Sequence, residues 1–493
     1  MAAIDEKATQ KTPHGSSFRA GVAKVDITTS DPGVKINDPL YAKVLVMDDG
    51  KSKLAIIAMD AVAIGGIGDI SDDFLPTLRQ RIEEELPLKK ENLLVNASHT
   101  HPPGRLLCDE PELVDRVFGA LRRACENMTE VKVGWGIGYE DRIMMNRTLR
   151  LKDGRHWTIR HANPCPPDDE VAGVGPVDPE IGILRIDRID GRPFAVVYNF
   201  ACHPYLGVPG GGITADYPGF ASKVIEETLG HGAMALFLQG AGGDITQVLY
   251  KDVHRPRDCE PQGMMLGLST LEAWRNIETQ ANVSLSVVSE FAELPRRTDI
   301  PERIARLRQE QEKLLKSLRF TSLNFRTFLP LYLKHMMNPE YPLDDAYRYL
   351  HGREDLTGID EQNRRNLAKY LNNIYAMEKL ARIEDRIATL QRHQAINDAA
   401  GEESITAEVL GVRIGEFVLI SAPIEVLVEV GLNVKRASPY KYTFVSAFSN
   451  GYMHYGPPAA YCDLGGYEVT ECFLAPEWQQ IYETKAQEVI RRL

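Results

Sequence analysis

The sequence lacks the marks of membrane, secreted and nucleic-acid-binding proteins. No window of its 493 residues holds an uninterrupted apolar run of the 18 or more residues that a membrane-spanning helix needs. Residues 1–17 are polar and lack the apolar stretch of a secretory signal. We predict that they form a flexible tail of a cytoplasmic protein, unless a leader has been removed. Because 69 acidic residues outnumber 57 lysines and arginines, the net charge of −12 argues against nucleic acid as the main partner.

Cysteine is also scarce. The seven cysteines are odd in number, widely scattered and never arranged as a CxxC pair, so neither a disulfide framework nor a thiolate zinc site is indicated. Hydrophobic residues make up 43% of the chain, which is enough to bury a large core. At this length we expect one large α/β domain with an insertion, or two to three domains. The acidic charge and the absent membrane anchor suggest a substrate that reaches the protein in solution, and we expect a small molecule.

Short β-type runs alternate with helical stretches from Phe18 to about residue 290. The strand-like runs are apolar and bounded by Gly, Pro or Asp, and the stretches between them carry apolar residues at helical spacing. This alternation predicts an α/β fold in which mixed β-sheets are covered by helices. The predicted strands are 53–64, 92–99, 180–187, 194–203 and 233–240. The predicted helices are 72–86, 112–128, 218–230 and 261–279.

Residues 297–400 have a different character. Two long, charged helical segments flank a stretch, 320–343, that is rich in aromatic residues and methionine. We predict a helical insertion that acts as a cap over the active site or as a contact in a homo-oligomer, or whose apolar stripe simply packs on the main body. Strand patterns resume at 408–426 and 443–450, and an amphipathic helix spans 475–493. The expected organisation is a tail (1–17), a catalytic domain in two parts (18–296 and 401–493) and the insertion (297–400).

The sharpest local feature is the segment Asn-Ala-Ser-His-Thr-His-Pro-Pro-Gly at 96–104. A predicted buried strand runs straight into His99 and His101. On an extended backbone, residues two apart point to the same face, so both imidazoles would enter one site at a strand end. Imidazole binds metals and transfers protons, and α/β proteins build their sites at strand ends. The alternative is a structural histidine pair.

Two further strands end in polar residues. His203 follows an apolar strand and precedes the glycine-rich loop 207–212, whose glycines suit a bent backbone or the close approach of a ligand. This loop is not a phosphate loop, because no GK[ST] follows it. Asp244 ends a third strand on a glycine turn, whereas Asp216 stands just before a helix, where capping is the default role.

The last part of the chain adds a carboxylate and a group of tyrosines. Glu425 comes shortly after a strand, and its rival Glu429, four residues on, is expected to face solvent from a helix. Tyrosines cluster between turn signals at 449–456 and 465–468. Packing against the surface is the alternative role for each of them.

Together these segments resemble the neutral/alkaline non-lysosomal ceramidase superfamily. The resemblance runs from residue 18 to residue 469, apart from the insertion, and depends on eight short matches in one order. They are NASHTH (96–101), MNRT (145–148), NFACHP (199–204), ITADYPG (213–219), FLQGAGGDI (237–245), APIE (422–425), SNGYMHY (449–455) and GGYE (465–468).

The resemblance implies a mononuclear zinc site, with another divalent metal as the alternative. Such a metal lowers the pKa of a bound water toward ~7, which prepares it to attack an amide carbonyl. Cationic and phenolic donors then stabilise the oxyanion or protonate the leaving amine. The implied ligands are His99, His203, Glu425 and Tyr455; the implied catalytic residues are His101, Arg147 and Tyr467; and Asp216 and Asp244 are predicted to orient the ligand histidines.

The chain also departs from this family. Where the ceramidases continue with Ser-Gly-Pro-Gly-Gly, this chain has Pro-Pro-Gly-Arg, which brings Arg105 close to the predicted metal. His161 belongs to a polar and aromatic segment, 154–164, that suits a small polar substrate. We predict that both residues bind substrate. The first hypothesis is a zinc-dependent hydrolase of an N-acyl amide, and the second is a metal-dependent hydrolase or lyase of an ester, lactone or sugar-like substrate. A binding scaffold with a vestigial site is the third.

Overall fold

The computed structural model describes residues 17–101, 104–159, 165–247, 257–337 and 357–493. The predicted tail lies outside these residues, apart from Ser17. The chain divides into two compact units. The main unit runs to Arg296 and resumes at Glu403, and the insertion unit is Arg297–Glu402.

All the strands that the structure describes lie in the main unit, and both units contain helices. The strands are β1 (Arg19–Asp26), β2 (Tyr41–Asp48), β3 (Lys53–Met59), β4 (Leu93–Ala97), β5 (Thr129–Tyr139), β6 (Met145–Asn146), β7 (Thr148–Leu151), β8 (His156–Thr158), β9 (Val171–Val174), β10 (Glu180–Arg188), β11 (Pro193–Phe200), β12 (Met234–Gln239), β13 (Ile245–Thr246), β14 (Leu285–Pro295), β15 (Ser404–Ile414), β16 (Phe417–Ser421), β17 (Glu425–Val426), β18 (Tyr442–Ser446) and β19 (Tyr455–Gly456). The helices of both units are α1 (Phe74–Glu85), α2 (Glu110–Glu126), α3 (Asp216–Leu229), α4 (Glu260–Trp274), α5 (Ile300–Ser317), α6 (Phe325–Met337), α7 (Thr357–Ala400), α8 (Val428–Ala437), α9 (Tyr467–Thr470) and α10 (Trp478–Arg492). Among these described helices, none combines the length and the apolar character needed to cross a membrane.

Eight strands form one mixed sheet in the order β12-β11-β10-β5-β1-β2-β3-β4. The outer pairs β11–β12 and β3–β4 are parallel, and the pairs between them are antiparallel. Strands β4 and β12 are buried at every residue, as expected of strands that are covered on both faces. On one face of the sheet, α2 packs on β1 and β2, and α3 packs on β12. The predicted α/β fold of mixed sheets covered by helices is confirmed.

A second sheet, β14-β15-β16-β18, packs against the other face of the first. The apolar side chains of both sheets form a shared core between them. Where β10 faces β18, a Cβ atom on Gly182 would lie only 2.6 Å from Cγ of Phe444. Glycine is therefore required at this contact. Helix α10 covers the outer face of the second sheet at β14 and β15.

The amide of Asn96 joins the two outer strands of the first sheet. Its Oδ1 accepts a hydrogen bond from the backbone N–H of Gln239, at the end of β12, at 2.9 Å. Its Nδ2 donates to the carbonyl of Ala447 at 2.6 Å and to the Ser449 hydroxyl at 3.0 Å, just beyond β18. Since Asn96 belongs to β4, one buried side chain ties the ends of three strands together.

The described residues of the insertion unit form three helices. Helices α5 and α6 both pack against the long helix α7. Within the predicted aromatic stretch, Phe328 is buried against Leu367, with Tyr332 and Tyr370 beside them. These residues thus form a small core of the insertion unit itself. Its role as a cap or an oligomer contact stays a prediction.

Candidate metal centre

The candidate site is built where strands of the main unit end. His99 lies two residues beyond β4, and His203 lies three residues beyond β11. Glu425 and Tyr455 come from the short parallel pair β17–β19, in which they are direct register partners. These residues therefore meet because the ends of β4 and β11 and the start of the pair β17–β19 lie at the same place.

The backbone at His99 differs from the expected one. The strand stops at Ala97, and His99 has a φ of 67°, which lies in the left-handed region that non-glycine residues seldom adopt. The two imidazoles therefore do not share a face through the alternation of an extended strand. They nevertheless meet, with Nε2 of His99 2.8 Å from Nε2 of His101. Such strained conformations concentrate at functional sites.

Three imidazoles and one carboxylate converge. The ring nitrogens of His99, His101 and His203 lie within 4.8 Å of one another. Oε2 of Glu425 is 3.2 Å from Nε2 of His203 and 3.5 Å from Nε2 of His99. The side chains of His99, His203 and Glu425 are almost completely buried. His101 keeps solvent-accessible surface and lines a neighbouring cavity.

Backbone carbonyls orient the two buried imidazoles. Nδ1 of His99 bonds the carbonyl of Val62 at 2.6 Å, and Nδ1 of His203 bonds the carbonyl of Gly242 at 2.7 Å. A carbonyl can only accept a hydrogen bond, so each Nδ1 carries the proton and each Nε2 presents a lone pair to the site. This tautomer is the one that a metal ligand needs.

The predicted orienting carboxylates have other partners. Asp216 accepts hydrogen bonds from the backbone N–H groups of Gly207 and Tyr217, at 2.6 and 2.7 Å, and so holds the glycine-rich loop against α3. Asp244 accepts from Asn146 and from the N–H of Val428, which starts α8. The prediction that these two residues orient the histidines is therefore corrected. Carbonyl groups of the turns after β3 and β12 do so, and no side-chain pattern in the sequence reveals them.

The electrostatics of the cluster favour ligand protonation states. Burial lowers the pKa of His203 to about 4, and the charge of Arg147 acts in the same direction. Desolvation by the surrounding protein, followed by repulsion from His99 and His203, lowers the pKa of His101 well below its usual value. Burial opposes ionisation of Glu425, but the facing imidazoles hold the pKa of this carboxyl well below its usual range. Metal binding requires a neutral imidazole and a carboxylate anion, which are the forms favoured here for the proposed ligands His203 and Glu425.

The cluster passes a direct test of fit for a divalent metal. Within the described part of the chain, Nε2 of His203 and Oε2 of Glu425 are buried and have no hydrogen-bond partner. Such orphaned atoms are costly unless they bind an ion or water. Two imidazoles and a carboxylate are also a common donor set for catalytic zinc. The donor atoms thus fit a metal ion in two respects. Their chemical types are those of a zinc site, and two of them lack a hydrogen-bond partner among the described residues.

Arg147 connects the cluster to the end of the chain. Its Nε donates to Glu468 at 2.8 Å, and its Nη2 donates to the carbonyl of Gly243 and to the Tyr455 hydroxyl, at 2.8 and 3.0 Å. Burial, followed by the charge of Glu425, raises the pKa of the Tyr455 phenol. The ring of Tyr467 lies 5.4 Å from that of Tyr455, measured between centroids. The predicted catalytic Arg147 and Tyr467 are therefore beside the predicted ligand Tyr455.

Two predicted substrate-binding residues keep that role only as a prediction, and the structure adds one contact that the sequence did not predict. The guanidinium of Arg105 pairs with Asp109 four residues on, and His161 lies outside the described residues. Glu429 accepts a hydrogen bond from Tyr461 rather than facing the imidazoles. Conversely, the Tyr452 hydroxyl donates to Glu425. Its motif, SNGYMHY, was noticed in the sequence, but nothing there separates the role of this tyrosine from that of its neighbours.

A cavity of about 520 Å³ opens beside His101. The glycine-rich loop forms one wall, and its glycines at 207, 210, 211 and 212 all have positive φ, a conformation that favours glycine. Thr214, Asp216 and Arg257 add polar groups to the lining. The cavity therefore offers backbone and charged groups to a ligand, together with the apolar side chains of Leu206 and Val208.

Comparison with solved structures identifies the fold. Neutral ceramidase from Pseudomonas aeruginosa superposes with a TM-score of 0.60 over 97% of this chain and 75% of its own, at 16% sequence identity. This chain has the ceramidase fold. A structure described as ceramidase complexed with C2 agrees, with a TM-score of 0.60, 15% identity and coverage of 97% and 76%. No protein-family model and no curated protein matches the sequence. The resemblance read from eight short motifs is thus confirmed at the level of the fold.

Proposed function

We propose that this protein is a metal-dependent hydrolase, with zinc as the expected ion and an N-acyl amide as the expected substrate class. One observation carries the proposal: the Nε2 atoms of His99 and His203 and Oε2 of Glu425 converge on one buried point, and the last two of these atoms have no hydrogen-bond partner among the described residues. Tyr455 completes the proposed ligand set, since its register partner is Glu425. The likeness to ceramidases supports the fold on which this chemistry depends.

When bound, the metal supplies Lewis acidity, which polarises a carbonyl and makes water a nucleophile near neutral pH. The side chains around it supply the rest. Arg147, held by Glu468 and Gly243, presents a fixed positive charge that favours the developing oxyanion. His101 lies between the cluster and the cavity, where its neutral imidazole can accept a proton from the attacking water and pass it to the leaving nitrogen as the C–N bond breaks. Tyr467 is the alternative proton donor.

A second candidate function rests on the cavity. Its volume is that of a site for a small ligand, and its wall of glycines, Thr214, Asp216 and Arg257 suits a polar one. This observation favours an ester, lactone or sugar-like substrate, cleaved by hydrolysis or by a lyase reaction at the same metal. A panel of N-acyl amides with graded chain lengths, tested beside polar esters and lactones, separates the two. Activity confined to the polar compounds supports the second function.

Metal analysis of histidine variants tests both functions. We expect purified protein reconstituted with zinc to hold about one ion per chain, as mononuclear catalytic sites do. His99→Ala and His203→Ala should each lose the ion and the activity, because each substitution removes one of the proposed metal ligands. His231→Ala is the matched control, since this histidine is exposed on the turn before β12. Full metal retention in both ligand variants would refute the ligand assignment.

A further inference from the structure

Glu425 has two carboxylate oxygens, and they face different partners. Oε1 accepts a hydrogen bond from the Tyr452 hydroxyl. Oε2 faces the Nε2 atoms of His99 and His203 and has no hydrogen-bond partner in the described part of the chain. The carboxylate is thus divided between a phenol on one side and the proposed metal position on the other.

The ring of Tyr452 has little freedom to release this bond. It stacks near Phe448 with 6.4 Å between ring centroids and packs at 5.0 Å from His454. The backbone of Gly66 closes the remaining side: with a φ of +72°, it passes so close that a Cβ atom there would lie 2.8 Å from Cδ1 of Tyr452. Packing on these sides fixes the ring, and so the hydroxyl is held at Oε1.

From this arrangement we propose that Tyr452 is a positioning residue that restricts Glu425 to a single ligating oxygen, Oε2. The inference rests on the proposed metal site. Carboxylates bind metals through one oxygen or through two, and a second oxygen would take a position that a catalytic site keeps open for water or substrate. By occupying Oε1, the phenol keeps that position available.

Tyr452→Phe tests the inference, because it removes one oxygen atom and leaves the ring. The matched control is Tyr461→Phe, which deletes the same kind of tyrosine–glutamate bond at Glu429, a carboxylate that is not among the proposed ligands. Both proteins would be loaded with Co²⁺, whose visible absorption weakens as its coordination number rises. We expect Tyr452→Phe to keep about one metal per chain, to lose visible absorption and to lose activity roughly 10- to 100-fold, the usual effect of removing an outer hydrogen bond at a metal site. Tyr461→Phe should keep the wild-type spectrum.

The outcomes are distinct. A Tyr452→Phe spectrum that matches wild type at equal metal content would overturn the inference and leave the metal site standing. Failure of the wild-type chain to bind Co²⁺ or Zn²⁺ would overturn both. X-ray absorption of the zinc-loaded wild type gives an independent test that needs no variant: one carboxylate oxygen at roughly 2.0–2.2 Å supports the inference, and two oxygens of one carboxylate contradict it.

Discussion

Replacing Asn96 by alanine should destabilise the main unit far more than a typical loss of one polar side chain. The Asn96 side chain is fully buried, and its removal leaves the N–H of Gln239 without its hydrogen-bond acceptor. A buried donor that has lost its acceptor costs about 1–3 kcal/mol of stability, and the lost bond to the Ala447 carbonyl adds about 1 kcal/mol. The Asn96 amide also donates to the hydroxyls of Ser446 and Ser449, and these two serines can still bond each other, since their hydroxyls are 3.0 Å apart. We therefore expect a loss of about 2–4 kcal/mol in the free energy of unfolding.

Tryptophan fluorescence during urea unfolding measures this loss selectively. All four tryptophans, at 135, 157, 274 and 478, belong to the main unit, so their signal follows that unit. Asn276→Ala is the control, because the Asn276 amide, just after α4, donates to the Glu272 carbonyl of that helix on the exposed surface. It should change stability by less than about 0.5 kcal/mol. If Asn96→Ala costs no more than this control, the link between the sheet edges does not contribute as argued.

Two further predictions concern the same unit. Burial raises the pKa of Asp244 to about 6, above its unfolded value near 4, so the stability that this group contributes is complete below pH 4 and is lost as the pH rises through 6. Asp244→Asn, which mimics the protonated form, should flatten that part of a stability–pH curve measured by urea unfolding; an unchanged slope would contradict the assignment. Gly182→Ala should cost about 1–3 kcal/mol, because the new methyl group overlaps the Phe444 ring, and thermal unfolding would show this as a lowered midpoint. Gly173→Ala is the control, because this glycine of β9 also lacks a positive φ and a Cβ there meets nothing within 4 Å, so it isolates the effect of glycine replacement in a strand from the overlap.

Much of the architecture could be predicted from local patterns. The run at 233–240 forms β12 and the run at 92–99 contains β4, because a short, wholly apolar stretch between turn residues satisfies its backbone groups best in a buried strand. The polar residues that follow these strands marked the candidate site for the same reason: a chain leaving a buried strand reaches solvent or a cavity. The insertion differs from the rest of the chain in its many charged residues and in its long segments of helical periodicity.

The sequence by itself thus determined which segments become strands and helices and which residue types stand at their ends. Only the tertiary structure decided that Glu425 faces His99 and His203, that Tyr452 holds the other carboxylate oxygen, and that carbonyls of Val62 and Gly242 set the imidazole tautomers. The physical reason is that helical and strand periodicity act over a few neighbouring residues. The partner of a buried polar atom, in contrast, depends on sheet register and on turn conformations such as the left-handed backbone of His99, which bring together atoms hundreds of residues apart.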